Sequence, residues 1–79
     1  MTDRTNVANI ARTANYSLDV YEEVEDGSSD VYYGITNTDY NVLEVRTYVY
    51  PEAYKILHSL QDAVEEIQKE TKEESFLTH

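Results

Sequence analysis

Residues 16 to 36 read YSLDVYEEVEDGSSDVYYGIT, and this stretch decides the fold. Tyr16, Leu18, Val20 and Val24 fall on one side of an extended chain, while Asp19, Tyr21, Glu23 and Glu25 fall on the other. That alternation is the period of a half-buried strand, and only Glu22 breaks it. Asp26-Gly27-Ser28-Ser29-Asp30 has the composition of a turn, with Gly27 free to take positive φ. Val31, Tyr33 and Ile35 then resume the apolar face, so the segment folds back on itself as a hairpin.

Working outward, Asn37-Thr38-Asp39-Tyr40-Asn41 supplies a second turn. Leu43, Val45, Thr47 and Val49 follow as the inward face of a third strand, with Glu44, Arg46, Tyr48 and Tyr50 outward. Pro51 suits the first position of a helix, where its missing N–H is no loss, and Glu52 favours the positive end of the helix dipole. Ala53, Ile56, Leu57, Leu60, Val64 and Ile67 make an apolar stripe that can cover one face of the sheet. At the other end Val7, Ile10, Ala11 and Ala14 are spaced as on a helix, with Asp3 or Thr5 as its cap. The expected plan is therefore α+β in a single domain. A short N-terminal helix occupies 1–15, a three-stranded antiparallel meander 16–50, and an amphipathic helix 51–70 packed on one sheet face. The remaining 71–79, holding Phe76 and Leu77, are expected to fray.

With 79 residues there is room for one small core, and stability is marginal unless something reinforces it. Sixteen acids against six bases leave a net charge of -10, so self-repulsion opposes the compact state. Eight tyrosines and clear periodicity nevertheless argue for a folded chain rather than a disordered one. The absence of cysteine removes disulfides, thiolate chemistry and Cys-based zinc sites, and fits the cytoplasm. No apolar run has the length of a membrane span or a secretory leader.

Between Thr13 and Val45 there is no lysine, arginine or histidine, yet Asp19, Glu22, Glu23, Glu25, Asp26, Asp30, Asp39 and Glu44 lie there. Such a surface repels nucleic acid and anionic lipid and steers basic proteins toward it. Two ladders are candidates for partner binding. Asp19, Glu23 and Glu25 share one strand face, with Glu22, Asp26 and Asp30 nearby. Asp62, Glu66 and Glu70 recur every fourth residue, about 6 Å apart at a rise of about 1.5 Å per residue. A nucleic-acid strand carries its phosphates about 3.4 Å apart along the axis, so either ladder has a spacing on that scale. Against a merely solvated face stands the shortage of interleaved lysines, Glu65 with Lys69 being the one favourable pair.

Tyr21, Tyr32, Tyr48 and Tyr50 are expected on the sheet face away from the helix, as a surface for homodimerisation or as cross-strand pairs. Catalysis is not expected. His58 flanks the helix stripe and His79 is terminal, with no phosphate loop or nucleophile elbow. The Asp26 to Asp30 turn lacks the ligand order of a calcium loop. Glu22 and Glu23 would need an enclosed pocket to act as an acid–base pair, and a chain this short hardly makes one. No metal or cofactor is expected.

Small size, no cysteine, an extreme acidic balance and a sheet-plus-helix plan together resemble the DNA-mimic proteins of bacteriophages. That group includes inhibitors of restriction enzymes, uracil-DNA glycosylase, CRISPR effectors and the nucleoid protein HU. The resemblance covers the whole chain as composition and plan and rests on no shared motif, so it transfers no functional residue. It implies occupation of a DNA-binding groove in a basic host protein, often by a dimer, in the host cytoplasm. Arg4, Arg12 and Arg46 depart from a pure imitation of phosphate. The alternatives are a small adaptor module whose acidity serves solubility, and an antitoxin-like neutraliser of a basic toxin.

Overall fold

A computed structural model describes residues 2–77. The architecture is α+β: strands β1 (Thr2–Arg12), β2 (Tyr16–Glu25), β3 (Ser28–Asn37) and β4 (Val42–Thr47) precede one helix, α1 (Tyr50–Leu77). All strand pairs are antiparallel, and the sheet order follows the chain, β1-β2-β3-β4.

The central hairpin forms as its alternation requires, but its turn is tighter than composition suggests. Glu25 pairs with Ser28, leaving only Asp26 and Gly27 in the turn, at φ of 49° and 83°. Two successive positive φ values match the right-handed twist of the flanking strands, and Asp-Gly is a preferred sequence for that geometry. Ser28, Ser29 and Asp30 therefore belong to β3 rather than to the turn.

The expected N-terminal helix is absent, and the sheet has four strands instead of three. Residues 2–12 form β1, paired with β2 from Thr2↔Glu25 to Arg12↔Ser17. The pairing shifts register between Asn6 and Ala8 and again between Asn9 and Ala11. Each shift inserts an unpaired residue, Val7 and Ile10, and converts a two-residue period into a spacing of three and four. That is why the segment imitates a helix in sequence.

On one sheet face Tyr16, Leu18 and Ile35 pack against Ala53 and Leu57 of α1, with Ala11, Tyr33, Val45, Ile56, Leu60 and Val64 around them. The strand expected to reach Tyr50 stops at Thr47. The Thr47 hydroxyl accepts the Val49 N–H at 3.3 Å, and the Val49 carbonyl accepts the first helical N–H, from Ala53, at 3.0 Å. The helix thus begins at Tyr50, with Pro51 still in the first turn, where it blocks no hydrogen bond.

α1 runs back over β4, β3 and β2 and is anchored at the far end of the sheet by Gln61. The Asn15 backbone N–H donates to Gln61 Oε1 at 2.9 Å, and Gln61 Nε2 donates to Asn15 Oδ1 at 3.0 Å. Past Val64 the helix reaches the end of the sheet, where Ile67, on the expected stripe, is 61% exposed beside Asn37, Asp39 and Tyr40. Helical backbone continues to Leu77 instead of ending at 70, about 20 Å past Val64 at about 1.5 Å per residue. Thr78 and His79, the end of the expected tail, lie outside the described residues. α1 is not apolar enough to cross a membrane.

Candidate functional site

The sheet face away from α1 is where strand alternation sends Ser17, Asp19, Tyr21 and Glu23 of β2, Asp30, Tyr32 and Gly34 of β3, and Arg46 of β4. Pairing places Tyr21 opposite Tyr32, and their rings stack at 5.7 Å between centroids. Gly34 is the space that makes this possible. A Cβ there would meet Leu43 Cδ1 and Tyr21 Cε2 at 2.7 Å. The Arg46 guanidinium lies 4.0 Å from the centre of the Tyr32 ring, and Arg4 lies 5.2 Å from that of Tyr21. Tyr21 and Tyr32 are consequently buried at 9% and 2% exposure, within their own chain.

Arg46 also gathers carboxylates. Its Nη1 donates to Glu23 at 2.9 Å, and its Nη2 donates to Asp30 and, at 3.0 Å, to the Tyr48 hydroxyl. Tyr48 in turn donates to Asp30 at 2.6 Å. These contacts, the Tyr48 hydrogen bond first, hold the Arg46 pKa above its ordinary value. Toward β1, the buried Asp19 carboxylate accepts from Asn9 Nδ2 at 2.8 Å and from the Ser17 hydroxyl at 2.9 Å. Asn9 sits at the second register shift, so one neutral side chain both satisfies a buried carboxylate and fixes where β1 bends.

These placements divide the acids proposed for partner binding. Asp19 is buried, and Glu23 and Asp30 are tied to Arg46. Glu22 lies on the helix side of the sheet and accepts from the Ser29 hydroxyl at 3.1 Å. Glu25 and Asp26 stand exposed at the hairpin tip, beside an open cleft of about 440 Å³ lined by Glu23, Glu25, Asp26, Ser28, Ser29, Asp30 and Arg46. Asp62, Glu66 and Glu70 are all exposed, near or beyond the end of the sheet, and form no ion pair among the described residues. The hairpin tip and the outer half of α1 occupy opposite ends of a molecule 59 Å long.

The four tyrosines do not form one patch. Tyr21 and Tyr32 are covered, and Tyr48 is exposed on the face where it was expected. Tyr50 is on the other side, because the chain has already turned into α1; its ring meets Tyr33 at 5.6 Å. From there an aromatic row continues along the helix, Tyr50 to Tyr54 at 6.2 Å and Tyr54 to His58 at 4.6 Å. Sequence reading missed Arg46 as an organiser and Asn9 altogether. The available signal for Arg46 was its isolation, as the only base between Arg12 and Lys55.

Comparison with known protein families, with curated proteins and with solved structures finds no match.

Proposed function

We propose that this chain is an acidic protein that occupies the DNA-binding surface of a basic host protein, such as a nucleoid protein, nuclease or polymerase, with carboxylates in place of phosphates. The observation that carries the reading is the imbalance between display and pairing. Of sixteen acids, those in ion pairs among the described residues are Glu23 and Asp30, both held by Arg46. Ten carboxyls stand exposed among the described residues, and over 59 Å they average one per 5.9 Å (59/10). A single strand carries one charge per about 3.4 Å, so the exposed acids by themselves reach more than half of its density. The setting for such a role is the cytoplasm of the host.

One observation favours the adaptor alternative. The exposed row Tyr50, Tyr54 and His58 is an amphipathic aromatic surface of the kind that protein interfaces use. Displacement of a labelled duplex from candidate DNA-binding proteins separates the two. The chain should release the duplex at 0.1 M salt and lose that ability toward 1 M, as the Debye length falls from about 10 Å to about 3 Å. Retention of the duplex by all such proteins at low salt would leave the adaptor reading in its place.

A further inference from the structure

β4 is shorter than the strand it pairs with. Its ladder covers β3 from Tyr33 to Asn37, and among the described residues Ser28 to Tyr32 have no partner on that side. The chain leaves the sheet after Thr47, which pairs with Tyr33, and turns toward α1. Five residues of β3, about 17 Å at about 3.3 Å per residue, are therefore an open edge. Residues flanking a two-residue turn exchange both ladder bonds, and alternation from the Glu25–Ser28 pair turns the N–H and C=O groups of Ser29 and Val31 outward.

The two faces beside this edge differ in chemistry. On the side away from α1 are Glu25 and, at the tip, Asp26, both exposed, beside Glu23 and Asp30, which Arg46 and Tyr48 already hold. On the helix side are Val31, 55% exposed, and Tyr50, 43% exposed and in contact with Tyr33. The chain's own Arg46 already demonstrates the kind of group the acidic side holds, a guanidinium forked between Glu23 and Asp30. We infer that the open edge of β3 takes an extended segment of a basic protein partner as an added strand. Alternate lysine or arginine side chains face the acidic side, where Glu25 and Asp26 are exposed, and the intervening apolar side chains lie against Val31 and Tyr50. This mode of strand addition draws affinity from main-chain bonds and specificity from alternate side chains. It rests on the proposed binding of a basic partner and states how that partner is engaged. A second copy of the chain is disfavoured there, because it would bring its own acids against these.

Two synthetic peptides of identical composition test the inference. One alternates arginine with valine over seven residues, and the other groups the arginines at one end. The alternating peptide should bind at least about tenfold more tightly, a difference of about 1.4 kcal/mol. It should also slow hydrogen exchange at the Ser29 and Val31 amides, and Val31→Pro, which removes an outward N–H, should abolish the preference while circular dichroism stays unchanged. Ser29→Gly, which keeps the backbone donor, should retain the preference and serves as the folded control. Equal binding of both peptides without added protection overturns strand addition and leaves binding by charge intact. If neither peptide binds at low salt, the basic-partner reading falls as well. Protection of Ser29 and Val31 in a peptide-free dimer would assign the edge to a second copy and overturn the inference.

Discussion

The two ends of β2 and β3 are built from the same pair of strands and have opposite surroundings. At one end Tyr16, Leu18 and Ile35 lie under α1, and the chain closes over them with Leu57 and Gln61. At the other end, from Glu22 to Val31, no helix among the described residues covers the sheet, the turn is two residues long, and carboxylates predominate. The contrast teaches that folding and charge display are assigned to different parts of one small sheet. A chain with a net charge of -10 keeps its hydrophobic contacts away from the region where repulsion is concentrated.

The largest expected effect lies in the covered end. Leu57→Ala removes a fully buried side chain and should cost about 2–5 kcal/mol in denaturant unfolding, whereas Val31→Ala at the open end should stay within about 0.5 kcal/mol. Equal losses would erase the distinction between the ends.

Next comes Asn9→Ala, which withdraws a donor from the buried Asp19 carboxylate and should cost about 1–3 kcal/mol. Because Asn9 also holds the bend of β1, amide exchange should rise first along residues 2–12. Faster exchange throughout the molecule would show that β1 is not separately pinned.

Much of the covered end was legible in the sequence, and much of the second face was not. Strict alternation in Tyr16–Glu25 and the stripe from Ala53 to Val64 identify strand and helix because each repeats over several periods. β1 escaped because the insertions at Val7 and Ile10 erase its period. Tyr21 and Tyr32 were expected to be exposed because alternation states which face a residue is on and not what lies over it. What lies over Tyr32 is Arg46, from a different strand, and no local pattern encodes that contact. The acidic candidates divided for the same reason. Asp19 and Glu25 are equivalent by period, yet one is buried and the other exposed.

Arg46→Ala should give a smaller effect than Leu57→Ala or Asn9→Ala. It releases Glu23 and Asp30 to repel each other and uncovers Tyr32, so the thermal midpoint should fall. Part of that fall should vanish at 1 M salt, which screens the repulsion. Arg46→Lys should recover it only in part, since an ammonium cannot fork between two carboxylates while lying over a ring. An unchanged midpoint at low salt would show that the cluster is not structural.

The smallest effect belongs to Tyr16, whose pKa is raised by burial and then by the nearby Glu44 carboxylate. The folded state holds this proton more tightly than the unfolded state does. Its contribution is therefore fully present below a pH of about 10 and is lost as pH rises through the folded value. Thermal midpoints should decline above that pH, and Tyr16→Phe should flatten the decline.

The most direct test of the account replaces the exposed acids at both ends by their neutral amides, at Glu25, Asp26, Asp62, Glu66 and Glu70, and measures duplex displacement and thermal midpoint on the same sample. Losing about 0.3–0.5 kcal/mol at each of these five exposed charges sums to at least about a tenfold weaker competitor. That loss should come together with an equal or higher midpoint, because self-repulsion is relieved. Undiminished displacement with a stable fold would contradict it.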